Sequence, residues 1–445
     1  MFESLTLDDI VIRSSSHTPF FGVYLASHAI TDALCMCHAS VGCKVKTQYH
    51  LSRHDAAANS YARRRYSQFI DEDLINGSTE QLEQEIRAWH DRQKSGVVVI
   101  DGSTPISLQA QSMAGVIERM EKLTGVHVVH VAARNYDEDL YAGYALTIGT
   151  LLRRMDFGGG AARRKADEVC IVGNLFDRYE GDSIGNVAEL RRMLAALGFR
   201  APAIFFSGEP YAELCRAPEA RSFLVMPHGA SQLRTLEQLG PTGVDHVKTG
   251  LPMGLGGTKA WLRIVGAHLG VADRAEAFIT SESARLKNHF EVARRQLGRR
   301  RFALFCEGER AAGLLATHIE VGMTPTLVGL LHLSAGGRAA VERELAEHYG
   351  ITLPPSVRWL ENPTPVAVRE CDLGGAEVVI GTTIERELLV NEPKPWVEFG
   401  YPSELRHFLA PAPYLGFEGA LRLLEQTCFA LERPHVGGPP EGAQH

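Results

Sequence analysis

Three of the chain's eight cysteines lie within nine residues, in the segment 35–43. They are Cys35, Cys37 and Cys43, and Cys43 directly follows a glycine. Thiolates this close together are typical ligands of a soft metal ion or an iron–sulfur cluster. The spacing C-x-C-x5-C matches no common zinc or ferredoxin motif, and in an apolar strand Cys35 and Cys37 would serve equally well as small buried hydrophobic side chains. The pattern by itself leaves both interpretations open.

Other candidate residues follow predicted strands. His228 comes directly after an apolar run, where α/β proteins bind their ligands, although a single histidine is more often structural. The turn at 173–182 lacks G-x-G-x-x-G, and the chain contains no G-x-x-x-x-G-K-[ST]. At a later turn, Glu307 and Glu309 would repel a phosphate. We therefore expect no nucleotide site.

Three rounds of alternating strands and helices position these residues. An unbroken apolar run such as 97–100 is typical of a parallel strand that is covered on both faces. Strands are expected at 33–37, 96–102, 126–131, 168–172, 203–206, 222–226, 301–305, 324–330, 357–360 and 376–380. Helices are expected at 19–31, 79–92, 108–122, 141–155, 183–197, 211–216, 227–239, 258–270, 274–297, 310–321, 338–349 and 416–433. The pattern predicts an α/β fold of three doubly wound (Rossmann-like) parallel-sheet domains.

Composition suggests where these domains begin and end. The Gly-rich, basic segment 158–165 is expected to be a flexible linker. We expect an N-terminal α/β domain with the cysteine loop at 1–157, a second α/β domain at 166–300 and a third at 301–433. The Gly/Pro-rich tail 434–445 is expected to be disordered.

Bulk properties narrow the class of protein. The 445 residues exceed the size of a single hydrophobic core, and a net charge of −7 argues against nucleic-acid binding. No apolar run is long enough to span a bilayer, and the first residues do not resemble a signal peptide. We therefore expect a cytoplasmic protein, in which clustered cysteines indicate metal or redox chemistry rather than disulfides.

Five phrases of the sequence resemble, in order, those of one known family. His-Ala-Ser-Val-Gly-Cys at 38–43 resembles the cluster loop His-Gly-Pro-Val-Gly-Cys of the nitrogenase component 1 family. Further similar phrases lie at 179–198, 251–258, 302–322 and 398–419, so the resemblance covers nearly the whole chain. The family includes nitrogenase catalytic subunits, the light-independent protochlorophyllide and chlorophyllide reductases, methylthio-alkane reductase and cofactor-assembly scaffolds.

The resemblance implies partners and cofactors. In this family two homologous subunits form a heterotetramer with an iron–sulfur cluster between them, and a deeper pocket often holds a second metallocofactor or an organic substrate such as a tetrapyrrole. Electrons arrive from a separate homodimeric ATP-hydrolysing iron protein, which agrees with the lack of a P-loop here. By motif, Cys43 matches a cluster ligand.

The chain also departs from the family's pattern. The family's other ligands are expected near Thr18 and near Thr104, and no cysteine stands at either place. Cys35 and Cys37 would then replace them, or Cys43 would be a lone ligand that completes a four-iron cluster held mainly by the partner chain. Because Cys35 and Cys37 are two residues apart on a predicted strand, they are expected to share a face.

The resemblance leads to a functional hypothesis with alternatives. The first is the β-like subunit of a nitrogenase-like reductase, with His228, Pro252, Gly254 and Thr258 as candidate residues of the cofactor or substrate pocket. The second is a non-catalytic scaffold on which a nitrogenase-type metallocofactor is assembled. The third is a metal-free subunit that supports a catalytic partner. A tetrapyrrole, a small unsaturated molecule and a carbon–sulfur bond all remain open as the group reduced.

Overall fold

Three parallel sheets build the fold. The computed structural model describes residues 18–56, 63–70, 72–73, 77–109, 112–134, 138–158, 160–240, 243–331, 336–391 and 393–432. Within these ranges the sheets have four, four and five strands, and the paired strands run parallel. The predicted fold class, three Rossmann-like α/β units, is confirmed.

The first sheet carries the cysteine segment. Its elements are α1 (Pro19–His28), β1 (Ala33–His38), α2 (Val41–His54), β2 (Arg64–Tyr66), α3 (Thr79–His90), β3 (Val97–Gly102), α4 (Thr104–Gln109), α5 (Ala114–Thr124), β4 (His127–Val131) and α6 (Leu140–Leu152). The strand order is β2-β1-β3-β4. Helix α3 buries Leu82, Ile86 and Trp89, the helical spacing visible in its sequence.

The second sheet has the order β6-β5-β7-β8. Its elements are β5 (Lys165–Val172), α7 (Gly181–Leu197), β6 (Arg200–Ile204), α8 (Tyr211–Leu214), β7 (Ala220–Val225), α9 (Leu233–Gln238) and β8 (His246–Lys248), and the helices α10 (Gly254–Leu269) and α11 (Ala272–Leu297) follow. Short 3₁₀ turns lie at Gly160–Arg163, Ala217–Glu219 and Pro227–Gln232.

The third sheet has the order β11-β10-β9-β12-β13. Its elements are β9 (Arg301–Cys306), α12 (Gly308–Ile319), β10 (Thr324–Leu330), α13 (Gly337–Glu344) with a π-helical turn (Leu345–Tyr349), β11 (Arg358–Glu361), α14 (Pro365–Arg369), β12 (Val378–Gly381), α15 (Thr383–Leu388), β13 (Trp396–Glu398) and α16 (Gly416–Glu432). Helix α16 packs against α7, α10 and α11, which joins the third sheet to the second.

Several local expectations were wrong. In place of one helix at 108–122 there are two: α4 starts directly after β3, with Pro105 in its first turn, and α5 begins at Ala114. The segment expected to be a flexible linker contains the turn Gly160–Arg163 and the start of β5, and Arg164 donates a hydrogen bond to the carbonyl oxygen of Gly243 at 3.1 Å. The short edge strands β2, β8 and β13 were not predicted. The expected disordered tail 434–445 lies outside the described residues.

A buried arginine joins the three units. The Nη1 atom of Arg178 donates to the carbonyl oxygens of His54 at 3.4 Å, Ser403 at 3.3 Å and Arg406 at 3.2 Å. The same guanidinium pairs with Asp182 on α7, Nη2 to Oδ2 at 2.5 Å. A charge-assisted network of this kind fixes α2, the loop after β5 and the segment after β13 relative to one another.

Candidate functional site

Two of the three clustered cysteines lie inside the protein. Cys35 and Cys37 on β1 pack in the main hydrophobic core, whereas Met36 packs in a smaller core on the other face of the sheet. The expectation that the two cysteines share a face is therefore confirmed. Their side chains are only 3% and 0% exposed, and their Sγ atoms lie 3.8 Å apart.

A carboxylate accompanies the two thiols. Asp101 lies beside Cys37 in the register of β1 and β3, and it is 0% exposed. One carboxylate oxygen of Asp101 and the two sulfur atoms all lie within 4.8 Å of one another. Neither carboxylate oxygen has a hydrogen-bond partner among the described residues. The sequence did not single out Asp101, although a charged residue at the end of an apolar strand was a signal that could have found it.

Burial and neighbouring charges set the protonation of this group. A hydrogen bond with Cys37 lowers the pKa of Cys35 in spite of its burial, and the charge of Arg64 lowers it further. Burial raises the pKa of Cys37 well above its usual value. Burial also raises the pKa of Asp101, and the charges of Cys35 and Cys43 add to that shift.

The third cysteine has a different environment. Cys43 lies in the first turn of α2, where a simple corner was expected, and its side chain is half-buried beside an exposed Gly42. Its Sγ atom lies 3.7 Å from the hydroxyl oxygen of Ser40, and its carbonyl oxygen accepts a hydrogen bond from the Thr47 hydroxyl. The free N–H groups of a helix N-terminus favour negative charge, such as that of a thiolate or of a thiolate-bound cluster.

The outer side of the same helix is apolar. Val41, Val45 and Tyr49 are 50%, 63% and 55% exposed, and their spacing of four residues places them in one stripe along α2. Contiguous exposed apolar patches often mark protein–protein interfaces.

The donor set can be compared with what an iron–sulfur cluster requires. A four-iron cluster is held by four thiolates or close substitutes. Of the three cysteines in residues 1–157, only Cys43 is not fully buried. Cys43 therefore fits a cluster that lies at the surface of the chain and takes its other ligands from elsewhere. Within the described part of the first unit, the other two cysteines are too deeply buried to reach such a cluster.

A cleft of about 890 Å³ lies between parts of all three units. Its walls come from α6, from the turn Pro227–Gln232, from the residues after β8, from the start of α12 and from α13 with its π-helical turn. Side chains that carry protons or charge in this lining include Tyr141, His228, Lys248, Glu309, Glu344 and His348.

His228 lies in this cleft wall, at the place expected from the sequence. Its ring is 4% exposed and packs 5.3 Å from the ring of Tyr141. Burial lowers the pKa of His228 to about 4. The backbone holds this turn closely, because Gly173, with a φ of +84°, approaches Gly229 so tightly that a Cβ atom would lie 2.3 Å from the Gly229 nitrogen.

Two carboxyl groups in the cleft are suited to hold protons near neutral pH. Burial raises the pKa of Glu309 to about 7, and the nearby charge of Glu307 contributes. Burial also raises the pKa of Glu344 to about 7. From the sequence, Glu309 was considered only as a group that repels phosphate, and Glu344 and Tyr141 were not identified, because burial in a cleft between units cannot be deduced from sequence spacing.

The other predicted pocket residues lie apart from the cleft lining. Pro252, Gly254 and Thr258 are buried at the start of α10, where a loop had been expected. The Thr258 hydroxyl donates to the Gly254 carbonyl oxygen at 2.6 Å, and the Glu320 carboxylate accepts from two N–H groups of the first turn. These residues lie at the start of α10. Helix α10 packs against the π-helical turn Leu345–Tyr349, which borders the cleft.

The fold and site define a class: three-unit α/β proteins that carry a thiol near the surface of the first unit and a cleft between the units. The chain belongs to the nitrogenase component 1 family, because the family model described as nitrogenase component 1 type oxidoreductase matches residues 18–432. Two curated relatives are nitrogenase molybdenum-iron protein beta chains. The one from Bradyrhizobium diazoefficiens is 20% identical over 91% of this chain and 80% of its own length. The one from Frankia alni is 26% identical over 56% of this chain and 49% of its own length.

Solved structures agree on the fold. The structure titled "Nitrogenase Cp1 at pH 6.5" matches with a TM-score of 0.77 and 18% identity, covering 93% of this chain and 92% of that chain. A second structure of Cp1, at pH 5, matches with a TM-score of 0.71 and 15% identity over 94% and 90% of the two chains. Family membership supports an oxidoreductase-type subunit or a scaffold. Among the described residues, no helix combines the length and apolar character that crossing a bilayer requires.

Proposed function

We propose that this chain is the β-like subunit of a nitrogenase-like reductase. Together with a homologous α-like subunit it would form a heterotetramer and pass electrons from a separate ATP-hydrolysing iron protein through a shared iron–sulfur cluster to a reducible substrate. The observation that carries this proposal is the position of Cys43, a half-buried thiol in the first turn of α2 at the place where the family's cluster loop occurs.

The surroundings of Cys43 support a cluster at a subunit interface. The exposed stripe of Val41, Val45 and Tyr49 lies on the same helix, so a partner that covers this stripe also approaches the first turn. Apolar side chains there would exclude water and raise the strength of every charge interaction at the cluster. The cluster, when bound, supplies one-electron transfer. The chain's own contribution is the Cys43 thiolate and the N–H groups of the helix N-terminus.

The cleft supports a second element of the proposal, the site where a substrate or second cofactor is held. Reduction of a multiple bond consumes protons as well as electrons, and the acid that delivers them works best with a pKa near the working pH. Glu309, with a pKa of about 7, meets this requirement, and the buried ring of His228 borders the same cleft. Pro252, Gly254 and Thr258 would act indirectly, by positioning α10 against the π-helical turn that borders the cleft.

A scaffold for assembly of a metallocofactor is the alternative. One observation favours it. The cleft is wide and lined by carboxyl and imidazole groups, whereas the first unit offers only one thiol near its surface, Cys43. A scaffold binds its cargo and releases it, so it needs few permanent ligands.

Turnover separates these two functions. The chain would be co-purified without oxygen together with its partner subunit and assayed with the iron protein, ATP and candidate substrates. A reductase gives steady product formation that depends on both ATP and the iron protein. A complex that contains iron but shows no turnover, and that transfers its metal to an acceptor protein, would instead establish the scaffold. A complex without iron would exclude both functions.

A further inference from the structure

We propose that Cys35, Cys37 and Asp101 bind a single divalent metal ion of the Zn²⁺ or Fe²⁺ type inside the first unit. This site is separate from the shared cluster at Cys43 and does not depend on the proposed reductase function. All three side chains belong to neighbouring strands, Cys35 and Cys37 to β1 and Asp101 to β3.

The distance between the two sulfur atoms indicates one ion rather than a cluster. Two thiolates on the same tetrahedral ion, each at about 2.3 Å from it, have their sulfur atoms about 3.8 Å apart. The Sγ atoms of Cys35 and Cys37 lie at 3.8 Å. The two donors therefore already form one edge of a tetrahedron, and the Asp101 carboxylate, within 4.8 Å of both, is placed to be the third ligand.

Asp101 provides an independent indication of a ligand. A buried carboxylate normally accepts several hydrogen bonds, because its desolvation is otherwise not compensated. Both carboxylate oxygens of Asp101 are buried and lack a hydrogen-bond partner among the described residues. A cation bound between Asp101 and the two thiolates would satisfy them.

The charges at the site also suit a divalent ion. Two thiolates and a carboxylate carry three negative charges, which a divalent ion and one cationic side chain neutralise. The guanidinium of Arg64, on the neighbouring strand β2 in register with Cys35, interacts electrostatically with both thiols. Mixed sulfur and oxygen ligands in tetrahedral geometry favour Zn²⁺ or Fe²⁺ over Ca²⁺ or Mg²⁺, which prefer oxygen alone.

The consequence for the fold is a metal link between β1 and β3, and α2 follows β1 after two residues. Cys43 lies in the first turn of that helix, and its charge already influences Asp101. The ion would thus fix the strand end from which the helix that presents Cys43 begins.

Cobalt binding tests the site. The full chain, reduced and freed of metal by a chelator without oxygen, would be titrated with Co²⁺, whose thiolate complexes show sulfur-to-metal charge-transfer absorption. We expect one Co²⁺ per chain with such absorption, displaced by Zn²⁺. Asp101→Asn should weaken binding by about tenfold or more, since even the loss of an indirect supporting group often costs that much. Cys37→Ser should remove part of the charge-transfer intensity.

Matched variants keep the test decisive. Cys170→Ser changes a cysteine that is equally buried in a strand of another unit and should leave the titration unchanged. Cys43→Ser, which removes the proposed cluster ligand, should still bind one Co²⁺ per chain and keep the charge-transfer absorption. Loss of the absorption in Cys43→Ser, or an unaltered titration in both Asp101→Asn and Cys37→Ser, would overturn the proposal. If Asp101→Asn does not fold, the comparison of Cys35→Ser and Cys37→Ser with Cys170→Ser still tests the proposal. The first two variants should lose charge-transfer absorption and Cys170→Ser should keep it.

Discussion

The Nε2 atom of His54 lies 3.6 Å from the Oδ2 atom of Asp177, and both side chains are buried where the three units meet. The Nδ1 atom of His54 accepts a hydrogen bond from the backbone N–H of Ser403 at 3.0 Å. His54 is the last residue of α2, the helix that presents Cys43 at its other end. One imidazole therefore links the helix of the candidate cluster site to the second and third units.

Replacement of His54 should weaken the contact of α2 with the second and third units. We expect His54→Ala to lower the free energy of unfolding by about 2–3 kcal/mol, since it removes a buried hydrogen bond and leaves the Asp177 charge less compensated. Urea unfolding would measure it, and His289→Ala, which changes an exposed histidine on α11, should have almost no effect. Equal effects of the two variants would contradict a structural role of His54.

The contact between His54 and Asp177 also predicts a loss of stability in acid. Burial alone would raise the pKa of Asp177, but the interaction with His54 and the charges of Arg178 and Arg310 lower it overall. Because the folded pKa lies below the unfolded one, the contribution of Asp177 is present above about pH 4 and disappears as the pH falls below that value. When the free energy of unfolding is measured with urea at several pH values, it should fall less steeply in acid for Asp177→Asn than for the wild type. An unchanged slope in the variant would show that other groups cause it.

Glu309 should control the activity of the assembled complex near neutral pH. If it delivers protons, turnover should fall as the pH rises through about 7, because the carboxyl group then loses its proton. Glu309→Gln should reduce turnover by about 10²-fold or more and remove this limb of the pH profile. Glu347→Gln alters an exposed carboxylate in the same cleft and should retain both rate and profile. A wild-type pH profile in Glu309→Gln would exclude Glu309 as the proton donor.

Gly173 should be intolerant of a side chain. Gly173→Ala combines an unfavourable positive φ with a Cβ atom 2.3 Å from the Gly229 nitrogen, so the backbone next to His228 has to move. We expect a loss of about 2–4 kcal/mol of stability. Gly125→Ala is the matched control, because Gly125 also has a positive φ but nothing lies within 4 Å of its added Cβ, and it should cost only about 1 kcal/mol. Thermal unfolding of both variants would show whether the close approach or the φ angle dominates.

The apolar stripe on α2 should be needed for subunit association. Val45→Glu places a charge in the centre of the proposed interface and should weaken binding to the partner subunit by about 30-fold or more, as expected for a buried interface residue. Val390→Glu is a suitable control, since Val390 is 68% exposed and Val45 63%, and Val390 lies outside α2. Sedimentation or calorimetry of the two subunits would measure the affinities. If both variants assemble like the wild type, the partner binds elsewhere.

The sequence was sufficient for the fold class but not for the site. Apolar runs such as β3 and the spacing of Leu82, Ile86 and Trp89 on α3 reflect local periodicity, so they could be predicted from neighbouring residues. The start of α10 could not, because its N-terminal N–H groups are satisfied by Glu320, which is distant in the chain. The short strands β2, β8 and β13 exist only through pairing with longer neighbours.

The cysteines illustrate the same difference. That Cys35 and Cys37 share a face follows from the strand period alone. That Asp101 joins them, and that Cys43 differs from them in exposure, depends on the register of β1 with β3 and on where α2 begins. The raised pKa values of Glu309 and Glu344 could not be predicted either, because they arise from burial in the folded protein.

The most direct measurement is the iron and acid-labile sulfide content of the complex with its partner subunit, purified without oxygen, for wild type and Cys43→Ala. Cys428→Ala, which alters another half-buried cysteine on α16, is the control. We predict iron and sulfide in the wild type and in Cys428→Ala, and a loss of most of both in Cys43→Ala. A Cys43→Ala complex that assembles and keeps its full iron and sulfide content would contradict the assignment of Cys43 as a cluster ligand.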